Sequence, residues 1–236
     1  MSLFVDTTCR SSSTELMDDF SMKGELLRDS LEKLGTINKW LGGNSITLDG
    51  LRHLLEGRPK DQTYTIIDLG CGHGDILRLV AAYGRKHKYT FNLIGIDANQ
   101  DAIDYAVELS KDYEELSFKN LDVFSEEFQT LNYDIVLSTL FLHHLNQDEI
   151  DSLLQTLVSK ARLGIVINDL HRNRTAYGLF KLLGLVISNR MIVQDGLTSI
   201  LRAFKRKELE NISKQLNLES QIRWKWAFRY QWLIRS

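Results

Sequence analysis

Apolar positions along this chain switch between two periods, one helical and one extended. From Glu15 to Leu41 the spacing is helical: Leu16, Met17 and Phe20, then Leu26, Leu27, Leu31, Leu34, Ile37, Trp40 and Leu41. Gly24 divides this stretch into two helices, and Gly42-Gly43 stops the second. A further short helix is predicted from about Leu48 to Leu55, and Gly57-Arg58-Pro59-Lys60, with the lone proline, reads as a linker. Thr65-Ile66-Ile67 then opens a regular alternation. Helices are predicted over Ile76–His87, Gln100–Tyr113 and Asp148–Ala161. Strands are predicted over Phe91–Ile96, Leu116–Asn120, Tyr133–Ser138 and Leu163–Asn168. Thr175–Ser188 reads as a helix apolar nearly all round, and Lys207–Leu216 as another helix. Gln221–Ala227 and Phe228–Ile234 alternate apolar and polar residues, as two antiparallel strands at a sheet edge would. Residues 1–13 are small and polar and are expected to be disordered or loosely packed. There is no internal repeat and no low-complexity tract.

Strands that alternate with helices imply an α/β fold with a parallel sheet and right-handed crossovers. Such sheets bind ligands at the carboxyl ends of their strands. Asp68, Asp97, Asp122, Ser138 and Asp169 all fall at those ends.

The first strand runs into Asp68-Leu69-Gly70-Cys71-Gly72-His73-Gly74-Asp75, a strand, a glycine turn and a helix start. Glycines at every second position admit positive φ and a close approach of ligand to backbone. The dinucleotide fingerprint G-x-G-x-x-G fails here, because Asp75 or Leu77 stands where its third glycine belongs. Carboxylates at Asp68 and Asp75 would also repel a pyrophosphate, whereas a cationic ligand end suits them. The pattern D-x-G-x-G-x-G resembles motif I of the class I S-adenosylmethionine (SAM) methyltransferases. That resemblance spans roughly residues 60–236. It implies a Rossmann-like fold with a seven-stranded, mostly parallel sheet whose last strand is antiparallel. Residues 1–60 would form an N-terminal helical cap of the same unit, and residues 61–236 the SAM-binding domain, with a helical insertion at about 170–204.

The resemblance also implies a cofactor set. Asp68, Gly70, Cys71, Gly72 and Gly74 would hold the methionine portion. Asp97, followed by Ala98, would accept both ribose hydroxyls in bidentate fashion. Asp122 and the Val123 N–H would read the adenine, unless Asp122 is a helix N-cap. Ser138 would lie near the methionine moiety. SAM is the expected cofactor and S-adenosylhomocysteine the expected product.

Composition narrows the picture little. The 236 residues are 43% hydrophobic and 25% charged, ordinary for a globular chain. Cys9 and Cys71 form no disulfide framework or metal pattern. With no secretion signal and no apolar run of ~20 residues, a cytoplasmic protein without a membrane span is expected. Residues 171–236 carry 13 Lys/Arg against 4 Asp/Glu, which raises the alternative of an RNA or DNA methyltransferase. No RNA-binding signature or amino-base methyltransferase motif accompanies those charges, so nucleic acid is not the expected partner. A SAM-binding partner protein without catalysis is a second alternative. The apolar 175–188 helix could pack against a second chain, as a homodimer would.

The remaining chemistry rests on histidines. Leu142-His143-His144-Leu145 follows the fourth strand, where many SAM methyltransferases carry a similar sequence. No further ligand stands at metal spacing nearby, so no metal site is expected. His171 opens the insertion. Imidazole, with an ordinary pKa of about 6.5, suits a general base for a phenol or carboxylic acid. His171 is the first candidate, with His143 and His144 behind it. Finally, Glu15-Leu16-Met17-Asp18-Asp19, Ile37–Gly43, Asp169-Leu170-His171-Arg172 and the stretch from Asp195-Gly196 to Arg202-Ala203-Phe204 resemble a bacterial subgroup often encoded beside type III polyketide synthases. The resemblance implies a small, apolar or phenolic acceptor and favours O-methylation.

Overall fold

The computed structural model describes residues 5–187 and 189–235. A 3-10 turn over Leu16–Asp18 precedes α1 (Gly24–Trp40) and α2 (Gly43–Leu55). The alternating part follows as β1 (Thr63–Leu69), α3 (Asp75–His87), β2 (Thr90–Asp97), α4 (Gln100–Leu109), β3 (Leu116–Asn120) and α5 (Glu126–Thr130). It continues with β4 (Ile135–Thr139), a 3-10 turn over Leu142–His144, α6 (Gln147–Lys160) and β5 (Gly164–Leu170). The insertion is α7 (Arg174–Leu183) and α8 (Arg190–Arg202). The chain then closes with α9 (Arg206–Gln215), β6 (Glu219–Lys225) and β7 (Arg229–Arg235).

The seven strands form one sheet in the order β3-β2-β1-β4-β5-β7-β6. Pairing is parallel from β3 through β5, and β7 runs antiparallel to both β5 and β6. The expected sheet is therefore present, with the chain's last strand inserted one place in from the edge. Both faces are covered, so the central strands are apolar on both sides. Ile67, Leu69, Val136, Ile165, Ile167, Trp232 and Ile234 pack against α6 and α9 on one face. Ile66, Leu137, Val166 and Leu233 pack against α2 and α3 on the other.

Several boundaries differ from the sequence reading. Gly42 takes φ 76° and α2 starts at Gly43, so the glycine pair is a hinge between two helices rather than a stop before a loop. α4 ends at Leu109 because residues 110–113 close a turn, with the Tyr113 N–H donating to the Ser110 carbonyl. β5 runs on to Leu170 because β7 pairs with it as far as Leu170 and Arg229. α7 ends at Leu183; the predicted end of that helix, Ser188, lies outside the described residues. Its apolar surface is mostly exposed, and Ala176 is its one buried residue among those described.

The N-terminal segment departs most from expectation. Met1–Phe4 lie outside the described residues, but residues 7–13 are strapped to the fold. The buried Arg172 donates to the Thr7 and Thr8 carbonyls, and Arg10 donates to the carbonyls of His143, Leu145 and Arg202. A buried guanidinium needs acceptors on every side, and backbone carbonyls of a polar segment supply them without a hydrophobic signal.

Candidate active site

The glycine turn sits between β1 and α3. Gly70, Gly72 and Gly74 take φ of 64°, 49° and 77°, a region that side chains rarely enter. A Cβ at Gly70 would also stand 2.6 Å from the Phe141 ring, which packs over the turn from the segment after β4. Asp97 ends β2 and accepts from the Gly72 N–H at 2.9 Å and the Asn99 N–H at 3.0 Å. The second strand end is thereby fastened to the turn. Burial pushes the Asp97 carboxyl up despite these donors. Asp68 is 2% exposed, and its Oδ1 has no hydrogen-bond partner among the described residues. Burial first, then the charges of Asp75 and Asp97, push its carboxyl well up. An orphaned buried carboxylate oxygen fits a cationic ligand end such as an amino group. The Ser138 Oγ, buried at the end of β4, is likewise unpartnered among the described residues.

Cys71 is buried under the turn, its thiol pushed well up by burial and then by Asp97. Ala98 follows Asp97 in the loop that leads to α4. Asp122 is exposed and bonds the Phe124 N–H at 2.9 Å, while Ser125 rather than Asp122 caps α5. Val123 lies beside it, half-buried.

The histidines separate into two places. His143 is buried, and its Nδ1 lies 2.7 Å from Asp169 Oδ1 at the end of β5. His144 is half-buried, and its Nδ1 lies 2.6 Å from Asp18 Oδ1. The two rings pack with centroids 4.2 Å apart. Glu15 reaches between them: its Oε1 is 3.7 Å from His143 Nε2 and 3.8 Å from His144 Nδ1. Burial would raise the Asp18 carboxyl, but the hydrogen bond and charge of His144, the Glu15 N–H and Arg202 bring it down to about 2. The structure therefore brings a third potential metal ligand to the histidine pair, one that sequence spacing could not show. Two features of this donor set suit protons better than a cation. His144 Nδ1 is already committed to Asp18, and the Arg202 guanidinium stands 3.9 Å from Glu15 Oε1.

His171, the first sequence candidate, is elsewhere. Its Nδ1 accepts from the Trp224 Nε1–H at 3.3 Å, and its ring packs 4.9 Å from that of Tyr230, under the β6–β7 hairpin. Burial, with Lys205 and Arg172, pushes its pKa down. The extra residues of β5 carry His171 past the strand end toward β7, where its backbone N–H bonds the Phe228 carbonyl. The structure therefore places His171 apart from the His143–His144 pair.

Residues 66–163 match the family described as "Methyltransferase domain". That segment is a methyltransferase domain. No curated protein matches the chain at the sequence level. Among solved structures, the chain is similar to the plantazolicin methyltransferase BpumL in complex with SAH, at 17% identity, covering 87% of this chain and 89% of that one, with a TM-score of 0.66. The magnesium protoporphyrin IX methyltransferase ChlM of Synechocystis PCC 6803, with bound SAH, is similar at 16% identity over 85% of this chain and 87% of that one, with a TM-score of 0.55. The CurJ carbon methyltransferase aligns at 14% identity over 80% of this chain and 53% of that one, with a TM-score of 0.59. The orphaned Asp68 oxygen and the glycine cradle fit SAM, the cofactor that the motif resemblance implies. No helix among the described residues is long and apolar enough to cross a membrane.

The sequence reading missed what holds the methyltransferase's histidine cluster in place. Leu16 and Met17 donate their N–H groups to the buried Asp195 carboxylate at 2.8 and 3.0 Å, and Ser199 donates to Glu15 Oε2 at 2.7 Å. Arg202 donates to the carbonyls of His143, His144 and Ser13, and to Asp18. Glu15, Asp18, Asp195 and Arg202 all stood in stretches that marked the resemblance, but nothing local indicated their mutual contact.

Glu15 makes stability depend on pH. Burial pushes its carboxyl up to about 7, against the pull of His144 and Ser199. The unfolded value is about 4.3, so folding favours the protonated form. This stabilisation is complete below the unfolded value and is lost progressively as pH rises from there through 7, a cost of up to about 4 kcal/mol at 1.36 kcal/mol per unit. The expected result is that Glu15→Gln flattens the dependence of unfolding free energy on pH between about 4 and 7. Urea titrations at several pH values would show it, and an unchanged slope would refute the buried-acid role.

Proposed function

We propose that this methyltransferase moves a methyl group from SAM to an oxygen of a small apolar or phenolic acceptor, with His144 taking the acceptor's proton. The observation that carries this reading is the Asp18–His144 pair, 2.6 Å apart, on the segment whose Phe141 covers Gly70. SAM supplies an electrophilic methyl on a sulfonium, so the protein need only align, desolvate and deprotonate the acceptor. Asp18 receives the His144 Nδ1–H and so leaves Nε2 as the free acceptor of a proton. His143, fixed by Asp169, backs the His144 ring and holds its plane. Leu16 and Phe20 expose apolar surface beside Asp18, and Leu179 and Leu182 do so on α7, which suits a greasy acceptor. The stretches that resemble the methyltransferases encoded beside type III polyketide synthases include Glu15, Asp18, Asp169 and Arg202, the groups around His144. That coincidence supports a phenolic acceptor.

The test is turnover. Purified protein is incubated with SAM and a series of simple phenols and aromatic acids, and S-adenosylhomocysteine is quantified. The expected outcome is acceptor-dependent product. Tight SAM binding with no product across oxygen acceptors, but product with amine or carbon acceptors, would overturn the choice of oxygen.

A further inference from the structure

We propose that Arg229, with the N-terminus of α2, forms a receiving site for an anionic group, a carboxylate, on the methyl acceptor. The proposal rests on the methyl-transfer reading above and narrows its substrate class to acidic acceptors. Arg229 begins β7 and pairs with Leu170, which places it at the carboxyl end of β5, where ligands of such sheets bind. Its neighbours on alternate positions, Gln231 and Leu233, bond or pack against α2 and α3, so Arg229 faces the same side. The residue is 2% exposed, and its Nε and Nη1 have no hydrogen-bond partner among the described residues. No ion pair described in the structure includes it. Burial pushes its pKa down to about 10, partly offset by Asp169, so it is charged at neutral pH. Asp169 itself bonds His143.

A second positive element meets it. A Cβ on Gly43, the first residue of α2, would lie 3.0 Å from Arg229 Cζ. α2 runs for 13 residues, has no side-chain cap and carries no acidic residue in its first turn. Its free N–H groups and dipole therefore add to the guanidinium rather than neutralise it. Around the same glycine, Asn38 Oδ1 and Asn168 Oδ1 are also buried without partners. Amide oxygens can receive N–H bonds, but they do not cancel a buried charge. An anion would. The strip Asp68, Thr139, Asn168, Arg229 lies along one sheet face at the strand ends. Asp68 and Arg229 stand three strand spacings apart across the sheet, about 14 Å at 4.8 Å each, and four residues apart along the strands, about 13 Å, which makes roughly 20 Å in all.

The experiment compares wild type with Arg229→Met, both saturated with S-adenosylhomocysteine, by thermal unfolding with and without benzoate or benzamide. A structural arginine and a receiving arginine differ in sign here. Removal of an uncompensated buried charge should raise the melting temperature by about 2–4 °C. Benzoate should stabilise wild type, benzamide should not, and the variant should respond to neither. A melting temperature that falls in the variant, or a benzoate response that is absent in wild type or survives in the variant, would overturn the assignment. A loss of SAM affinity in Arg229→Met with the benzoate response intact would assign the guanidinium to the cofactor's own carboxylate. None of these outcomes depends on turnover, so they are separate from the oxygen-acceptor test.

Discussion

His144→Gln should lower kcat by about 10²–10⁴ while leaving SAM affinity unchanged, as expected when a positioned general base is lost. The imidazole contributes only where an acceptor proton must leave, and Asp68, Gly70, Gly72 and Asp97, the residues proposed to hold the cofactor, make no hydrogen bond to it among the described residues. Glutamine preserves a donor toward Asp18, so the 3-10 turn over Leu16–Asp18 should stay docked. The control is acceptor acidity. A strongly acidic phenol, already ionised at the assay pH, should recover most of the lost rate in the variant. An equal loss for acidic and weakly acidic phenols would mean that His144 positions the acceptor rather than removing its proton. His171→Gln, by contrast, should leave turnover near wild type, since that ring packs against Trp224 and Tyr230.

The second large effect is expected from Arg202→Met. Arg202 is 8% exposed and gathers Ser13, Asp18, His143 and His144 by their carbonyls and one carboxylate. Its loss leaves Asp18 and Glu15 as buried or half-buried carboxylates without their fixed positive neighbour. Breaking such a pair typically costs about 3–5 kcal/mol. Part of that cost should appear as local opening rather than global unfolding, because the strap over residues 7–19 is held chiefly by polar bonds. Limited proteolysis should therefore cut between about residues 5 and 20 in the variant and not in wild type. Turnover should fall with it, since Asp18 would no longer orient His144. A variant that is as stable and as protease-resistant as wild type would show that the strap is held by Asp195 and Arg172 instead.

The sequence by itself determined the α/β alternation, the parallel sheet and the glycine turn after β1. Those features are written locally. A buried strand needs a short apolar run, a strand end in this fold carries its polar group at the next position, and the glycine turn needs residues that tolerate positive φ. Asp68, Gly70 and Asp97 could thus be singled out from neighbours in the chain alone. The surroundings of the histidine pair and of Arg229 were decided by the tertiary structure. Glu15 and Asp18 meet His143 and His144 across more than a hundred positions, and Arg229 meets Gly43 across a still longer interval. No period or spacing records such contacts, because they arise only when β7 inserts beside β5 and the N-terminal strap crosses α8. The placement of the three histidines followed the same divide. His171 is closest in sequence to the insertion, but the extension of β5 turns it toward the hairpin. The adjacent pair after β4 receives carboxylates from the far end of the chain, contacts that packing rather than proximity in sequence creates.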